Sequence, residues 1–276
     1  MAAGKLPQLD FGRNKVSRLI AGANTINGGS HLSRFTNLQM KSYFTMDRIL
    51  EHLRLCEEAG INTWQSSYGN LDLYRLHREH GGTLQFITLG CESENELENL
   101  REAKAVGALG IAHHGEVTDQ LFKSGQVDQV REYCKRVRET GMMVGISSHM
   151  PDALAQVLDE GWDVDFFMCC IYERHRTREE LEKLMGHVPI PVSEVYLESD
   201  PPRMFKIMRQ TDKPCLAFKI LAAGRLCENQ ESVELAFQAT LSQIKANDGI
   251  IIGMYPEFED QVNLNAGYIR KHGVPG

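Results

Sequence analysis

The chain lacks the features that would assign it to a membrane, a nucleic acid or an oxidising compartment. No run of 18 apolar residues occurs in its 276 residues, so no membrane-spanning helix is expected. The opening MAAGKLPQLDFGRNKVSRLI has no apolar core long enough for a signal peptide. Basic residues form no block: 30 Lys and Arg stand against 37 Asp and Glu, a net charge of −7. That balance favours solubility and argues against a nucleic-acid partner. The seven cysteines, at 56, 91, 134, 169, 170, 215 and 227, are odd in number and include no Cys-x-x-Cys. Free thiols in a reducing cytosol are therefore expected, and the chain is read as cytoplasmic. Internal repeats, low-complexity tracts and interdomain linkers are also missing. A small-molecule substrate is the partner left, with the oligomeric state open.

What is there is alternation. Short apolar runs, bounded by Gly, Pro or polar residues, predict strands at Val16–Ala23, Ile61–Ser66, Leu84–Leu89, Ala108–Ala112, Met142–Ser147, Val164–Cys170, Cys215–Leu221 and Gly249–Gly253. Helix-period segments fall between them: Met46–Ala59, Glu94–Val106, Gln126–Thr140, Pro151–Glu160, Pro202–Thr211 and Glu231–Ala246. Thr45, Ser93 with Glu96, and Asp200 before Pro201 are expected caps at helix starts; Gly60 and Gly141 stand where helices should end. Eight strands at even spacing predict an α/β fold of the (β/α)8 TIM-barrel kind, one domain over 1–276, rather than a doubly wound open sheet. Stretches 24–43 and 172–197 are long for barrel loops, and such loops shape active sites.

In a barrel the C-terminal ends of the strands share one mouth. The fourth strand ends in GALGIAHHGE, placing His113, His114 and Glu116 there. Adjacent strand residues face opposite ways, so one of the two histidines faces the barrel axis. Gln65 and Tyr68, Cys91 and Glu92, Ser147 and His149, Cys169 with Tyr172 and Glu173, and Lys219 end the other strands. Glu92, His113 and His149 form the expected metal set, with His114 and Glu116 nearby; imidazole and carboxylate ligands suit Zn2+ or Mn2+. The bland alternative is a hydrogen-bonded histidine pair at a polar rim. Lys219 interrupts the apolar LAFKILAAG and is costly to bury unless paired or functional. It is read as a Schiff-base amine, an anion anchor or a proton donor; its bland alternative is a bridge to Glu194 or Glu173. NTINGGSHLSRF carries Asn24, Asn27, His31 and Arg34 on a Gly-rich loop, a candidate lid or substrate wall.

In order along the chain, several segments resemble the aldo-keto reductases, from Phe11 to Lys271. FGRNKVSRLIAG is similar to that family's LG…VSRLGLG opening, GINTWQSSYG to GINFFDTAxxYG, and GALGIAHHGE to VDLYLLHWPD. VGISSH is similar to IGVSNF, LAFKILAAGRL to AWSPLAQGLL, and GIIIGMYPEFEDQVNLN to the phosphate-binding last strand and helix. The resemblance implies hydride transfer from a nicotinamide, with Tyr68 as the proton-donating tyrosine and His113 as the substrate-orienting histidine. The partner aspartate becomes Gln65, and the lysine becomes Gly90 or Leu89, so the tetrad is degenerate. The nicotinamide amide would meet Ser147, Ser148 and Cys169. Glu257, Glu259 and Asp260 replace the basic residues expected at a 2′-phosphate, which disfavours NADPH; Gly253 and the following helix start leave NAD open.

Together these give an aldo-keto-reductase-like barrel enzyme that performs acid–base chemistry, of isomerase or lyase type and metal-assisted, on a small polar carbonyl or sugar-like compound. Tyr68, His113, His114 and Lys219 are the expected catalytic groups; Asn24, Gln65, Tyr172 and Glu173 the substrate contacts; Ser147, Ser148 and Gly253 the cofactor contacts. The enzymatic reading depends on His113 and Lys219 facing one cavity. The alternatives are an NAD(P)-dependent aldo-keto reductase and a non-catalytic ligand-binding barrel.

Overall fold

The protein is described from a computed structural model, over residues 5–273. A two-stranded antiparallel hairpin, β1 (Gln8–Phe11) and β2 (Asn14–Ser17), precedes a closed parallel barrel. The barrel strands are β3 (Leu19–Gly22), β4 (Thr63–Ser67), β5 (Gln85–Gly90), β6 (Gly110–His113), β7 (Met143–Ser148), β8 (Phe166–Cys170), β9 (Cys215–Phe218) and β10 (Gly249–Gly253). Each pairs with the next in sequence, and β10 closes the ring against β3. This is the (β/α)8 TIM barrel expected from the alternation.

The first expected strand, Val16–Ala23, is two. Ser17 ends β2, and Arg18 turns the chain into β3. The break is built around that arginine, which is 3% exposed. Its guanidinium donates to the backbone carbonyls of Asp248, Lys245 and Gly273, tying the barrel's floor to the end of the chain. The hairpin plugs that floor: Leu9, Phe11 and Val16 pack with the inward residues Ile20, Ile87, Ala112, Phe166, Met168, Leu216 and Ile251. The Phe11 and Phe166 rings lie 4.8 Å apart. A second, larger core lies between strands and helices, where Trp64 packs on Phe86 and Tyr74.

Thr45 caps the helix Met46–Glu58 through its side chain, as expected, and Gly60 and Gly141 take the left-handed conformation that ends helices, φ 89° and 80°. Two caps differ. The helix after the third barrel strand begins at Glu96 behind Asn95, and the Glu96 carboxylate binds Arg136 instead of reaching back to Ser93. Asp200 is the first helical residue and spends its carboxylate on Arg176 and on the Leu197 amide. The two stretches that resisted the strand–helix pattern contain helices, Arg34–Tyr43 and Arg178–Met185. Both helices are short and expose a few apolar side chains among polar ones, with Phe35 75% and Leu184 57% exposed. No helix among the described residues is long and apolar enough to cross a membrane.

Candidate active site

Alternation along the strands decides what reaches the mouth. In β6, Ile111 and His113 face the helices while Ala112 faces the barrel interior; His114, the next residue, therefore enters the mouth. The mouth is a cavity of about 610 Å3 whose lining includes His114, His149, Lys219, Gln65, Ser147 and Asn24. Leu89, Glu116, Gly253, His31 and Arg174 also line it.

His113 is wholly buried and does not line the cavity. Its ring nitrogens bind Thr118 Oγ1 at 2.7 Å and Glu92 Oε2 at 3.0 Å, and its edge meets Tyr133. The expectation that His113 and Lys219 face one cavity is thus corrected: His114 takes that place. The expected metal set is not brought together either, because Glu92 and His113 pair outside the cavity whereas His149 lines it. Tyr68 also lies outside. Its hydroxyl binds Tyr133 at 2.8 Å, and burial pushes its pKa up to about 12. A Cβ on Gly90 would fall 2.2 Å from the Tyr133 hydroxyl and 2.5 Å from that of Tyr68, so no lysine side chain fits there. Tyr172 packs against Tyr196, Glu173 binds Arg176 and Arg203, and Ser148 turns outward to Asp119; none lines the cavity. Asn24, Gln65, Ser147 and Gly253 do.

Two polar groupings remain at the mouth. The first follows β9. Lys219 leaves the strand with φ 60°, and its Nζ lies 3.2 Å from His31 Nε2. His31, at φ 57°, places Nδ1 3.1 Å from Glu194 Oε1, which also accepts from Arg174 at 2.6 Å; Tyr196 donates to Oε2 at 2.9 Å. Burial, the largest influence on Glu194, opposes ionisation. The bonds from His31 and Tyr196 and the charge of Arg174 overcome it and hold the carboxyl at about 2. The bridge from Lys219 to Glu194 therefore exists, through His31. Burial lowers the Lys219 pKa, and Arg174 adds to the effect. Among the described residues no carboxylate lies within ion-pair distance of Nζ.

The second grouping spans three strand ends. His149, immediately after β7, directs Nδ1 to Asp119 Oδ2 at 2.8 Å; Asp119 is fully buried and also accepts from the His149 amide and Ser148. Glu116 lies one turn before Asp119 on the helix Gly115–Lys123, and His175 follows β8. Burial lowers the pKa of His149 well below that of a free imidazole, aided by the charge of Lys219; burial and then His113 lower that of His114. Asp119, Arg174 and His175 were not among the expected site residues. Asp119 sits mid-helix with nothing in the local pattern to mark it, and ERHR is merely a polar stretch until β8 aims it. The spacing of Glu116 and Asp119 on one helix face was the available signal.

No family model matches the chain, and no curated protein matches it in sequence. Its shape is similar to that of 3-hexulose-6-phosphate synthase from Salmonella typhimurium, 11% identical, TM-score 0.51, covering 92% of this chain and 99% of that one. It is also similar to an aldolase, QR15, 12% identical, TM-score 0.48, covering 84% and 92%. The chain is a TIM barrel. At such identity the likeness is one of fold. The resemblance to aldo-keto reductases does not hold: the solved barrel it is similar to is a 3-hexulose-6-phosphate synthase, no family model matches, and the tyrosine and histidine assigned to hydride transfer lie outside the cavity. The oxidoreductase reading goes with it.

Proposed function

We propose that the protein is a lyase or isomerase of small hydroxylated carbonyl compounds, with Lys219 receiving the carbonyl carbon. The observation that supports this is a mostly buried amine lining the cavity at the barrel mouth, with no carboxylate in ion-pair contact among the described residues. A lysine kept in such a place carries a desolvation cost that a purely structural role does not offset. Its lowered pKa leaves a larger share as free amine, the nucleophilic form. Both Lys219 and its partner His31 sit in the left-handed region, which costs roughly 1–3 kcal/mol for each non-glycine residue.

The chemistry follows from the contacts. With Glu194 accepting from His31 Nδ1–H, His31 Nε2 presents its lone pair to Lys219 and takes a proton from the ammonium. The amine attacks the carbonyl carbon, forming a C–N bond. The carbinolamine then loses its oxygen as water, giving an iminium. That cation draws electrons from the adjacent carbon, whose proton or carbon substituent is released. His114, an imidazole lining the cavity, takes the proton; Asn24 and Gln65 meet substrate hydroxyls.

Incubation with short hydroxylated aldehydes and ketones, borohydride reduction and peptide mass spectrometry tests this. A reduced adduct on Lys219 is expected, absent in Lys219→Met. No adduct with any such carbonyl, or an adduct that persists in Lys219→Met, overturns the reading. Trapping should rise with pH through the lowered lysine pKa, half-complete at a lower pH than for a free lysine.

A further inference from the structure

Beyond the lysine chemistry, and independently of it, we propose that Glu116, His149 and His175 form a mononuclear site for a divalent transition metal of the zinc class, with a coordination position open to the cavity. The three offer one ligand atom each, all within 4.8 Å of one another. Ligands about 2.0–2.1 Å from a tetrahedral zinc lie about 3.4 Å apart, and His175 Nε2 is 3.2 Å from Glu116 Oε2. The remaining separations are no more than 4.8 Å.

Two further observations point to an ion rather than a hydrogen-bond cluster. His175 Nε2 is buried and makes no hydrogen bond, although Glu116 and Asp119 oxygens lie 3.2 and 3.4 Å away. Its ring is directed between the two carboxylates without being aligned to donate to either. His149 has a side chain 7% exposed, lines the cavity, and commits Nδ1 to the buried Asp119. Its Nε2 has no hydrogen-bond partner among the described residues. A carboxylate behind one ring nitrogen fixes the tautomer whose other nitrogen carries the lone pair, which is the arrangement that supports metal-bound histidines. Glu116 and Asp119 also set two negative charges against Lys219 and Arg174, the cations facing the same space. Arg174 is already engaged by Glu194.

Three strand ends thus supply two imidazoles and a carboxylate; Glu116 and His149 line the cavity, as do His31 and Lys219, and His175 stands behind them. A bound ion there would hold a carbonyl or hydroxyl oxygen of a polar substrate and stabilise negative charge on it.

The test uses the full chain, stripped with a chelator and dialysed. Co2+ is added with visible absorption recorded, and Zn2+ binding is followed by calorimetry. About one equivalent is expected to bind, with the intense visible bands of a four- or five-coordinate cobalt centre. His175→Ala and Glu116→Gln should each weaken Zn2+ binding at least about 100-fold. Asp119→Asn should weaken it about 10- to 100-fold, as loss of an outer carboxylate does. Glu116 is 43% exposed at its side chain, so Glu116→Gln keeps the fold, checked by circular dichroism. Lys219→Met and the exposed His187→Ala should bind as the parent does. Absence of saturable binding, or equal binding by His175→Ala and Glu116→Gln, overturns the proposal. Failure of borohydride trapping while zinc still binds removes only the lysine reading.

Discussion

Lys219 carries opposite expectations for activity and for stability. A functional amine held against solvation is a destabilised group, and replacing it with an apolar chain of similar length removes that cost. Lys219→Met should therefore raise stability by about 1 kcal/mol, or about 2 °C in Tm for a chain of this size, while abolishing the trapped adduct. A fall in Tm on calorimetry would assign the lysine to structure. Glu194, its partner through His31, behaves as a depressed carboxyl. It is ionised in the native state down to about 2, below the ordinary value of 4.5. The stability it contributes is fully present above 4.5 and is lost as pH falls through 4.5 towards 2. Glu194→Gln should lower Tm at pH 7 by several degrees, and the gap to the parent should narrow below pH 4.5 and be nearly closed at pH 2. A gap that persists at pH 2 would show that the carboxylate's charge is not what matters.

Among the elements, the hairpin β1–β2 has a purely structural task. It closes the floor of a barrel whose opposite end holds the polar groups. Phe11 is fully buried against Phe166, so Phe11→Ala should cost about 3–5 kcal/mol in urea denaturation. The substitution is far from the mouth, so borohydride trapping by the folded fraction should be unchanged. The barrel strands were legible because buried parallel strands read as short apolar runs between Gly, Pro and polar boundaries. The hairpin was not: Gln8–Phe11 and Asn14–Ser17 are four-residue strands with mixed patterning. Helices Arg34–Tyr43 and Arg178–Met185 were also missed, since each buries a single residue, Met40 and Leu181 respectively, and short helices with so narrow a buried face leave little periodicity.

For the molecule as a whole, Arg18 joins residues more than 200 positions apart. Its guanidinium satisfies three carbonyls, on Asp248, Lys245 and Gly273, and burial lowers its pKa. Arg18→Met leaves the Asp248 and Gly273 carbonyls without this donor, at about 1–3 kcal/mol each, while the Lys245 carbonyl keeps the Asp248 amide. A loss of at least about 2 kcal/mol is expected, with the urea transition still single. A biphasic transition would mean that the last helix, Gln261–His272, detaches on its own.

The order of the eight barrel strands, and the gathering of strand ends at one mouth, were determined by the sequence alone, because hydrophobic periodicity is local and parallel strands must close on each other in order. Lys219 was visible for the same reason, as a charge inside an apolar run. Which of His113 and His114 enters the mouth was a question of strand phase, and one residue of phase exchanges the cavity for the helix layer. That phase, and the meeting of Asp119, His149 and His175 from three separate segments, was decided only by the tertiary structure. Such contacts join residues about 30 positions apart, and the hydrogen bond that aligns them leaves no periodic trace in the chain.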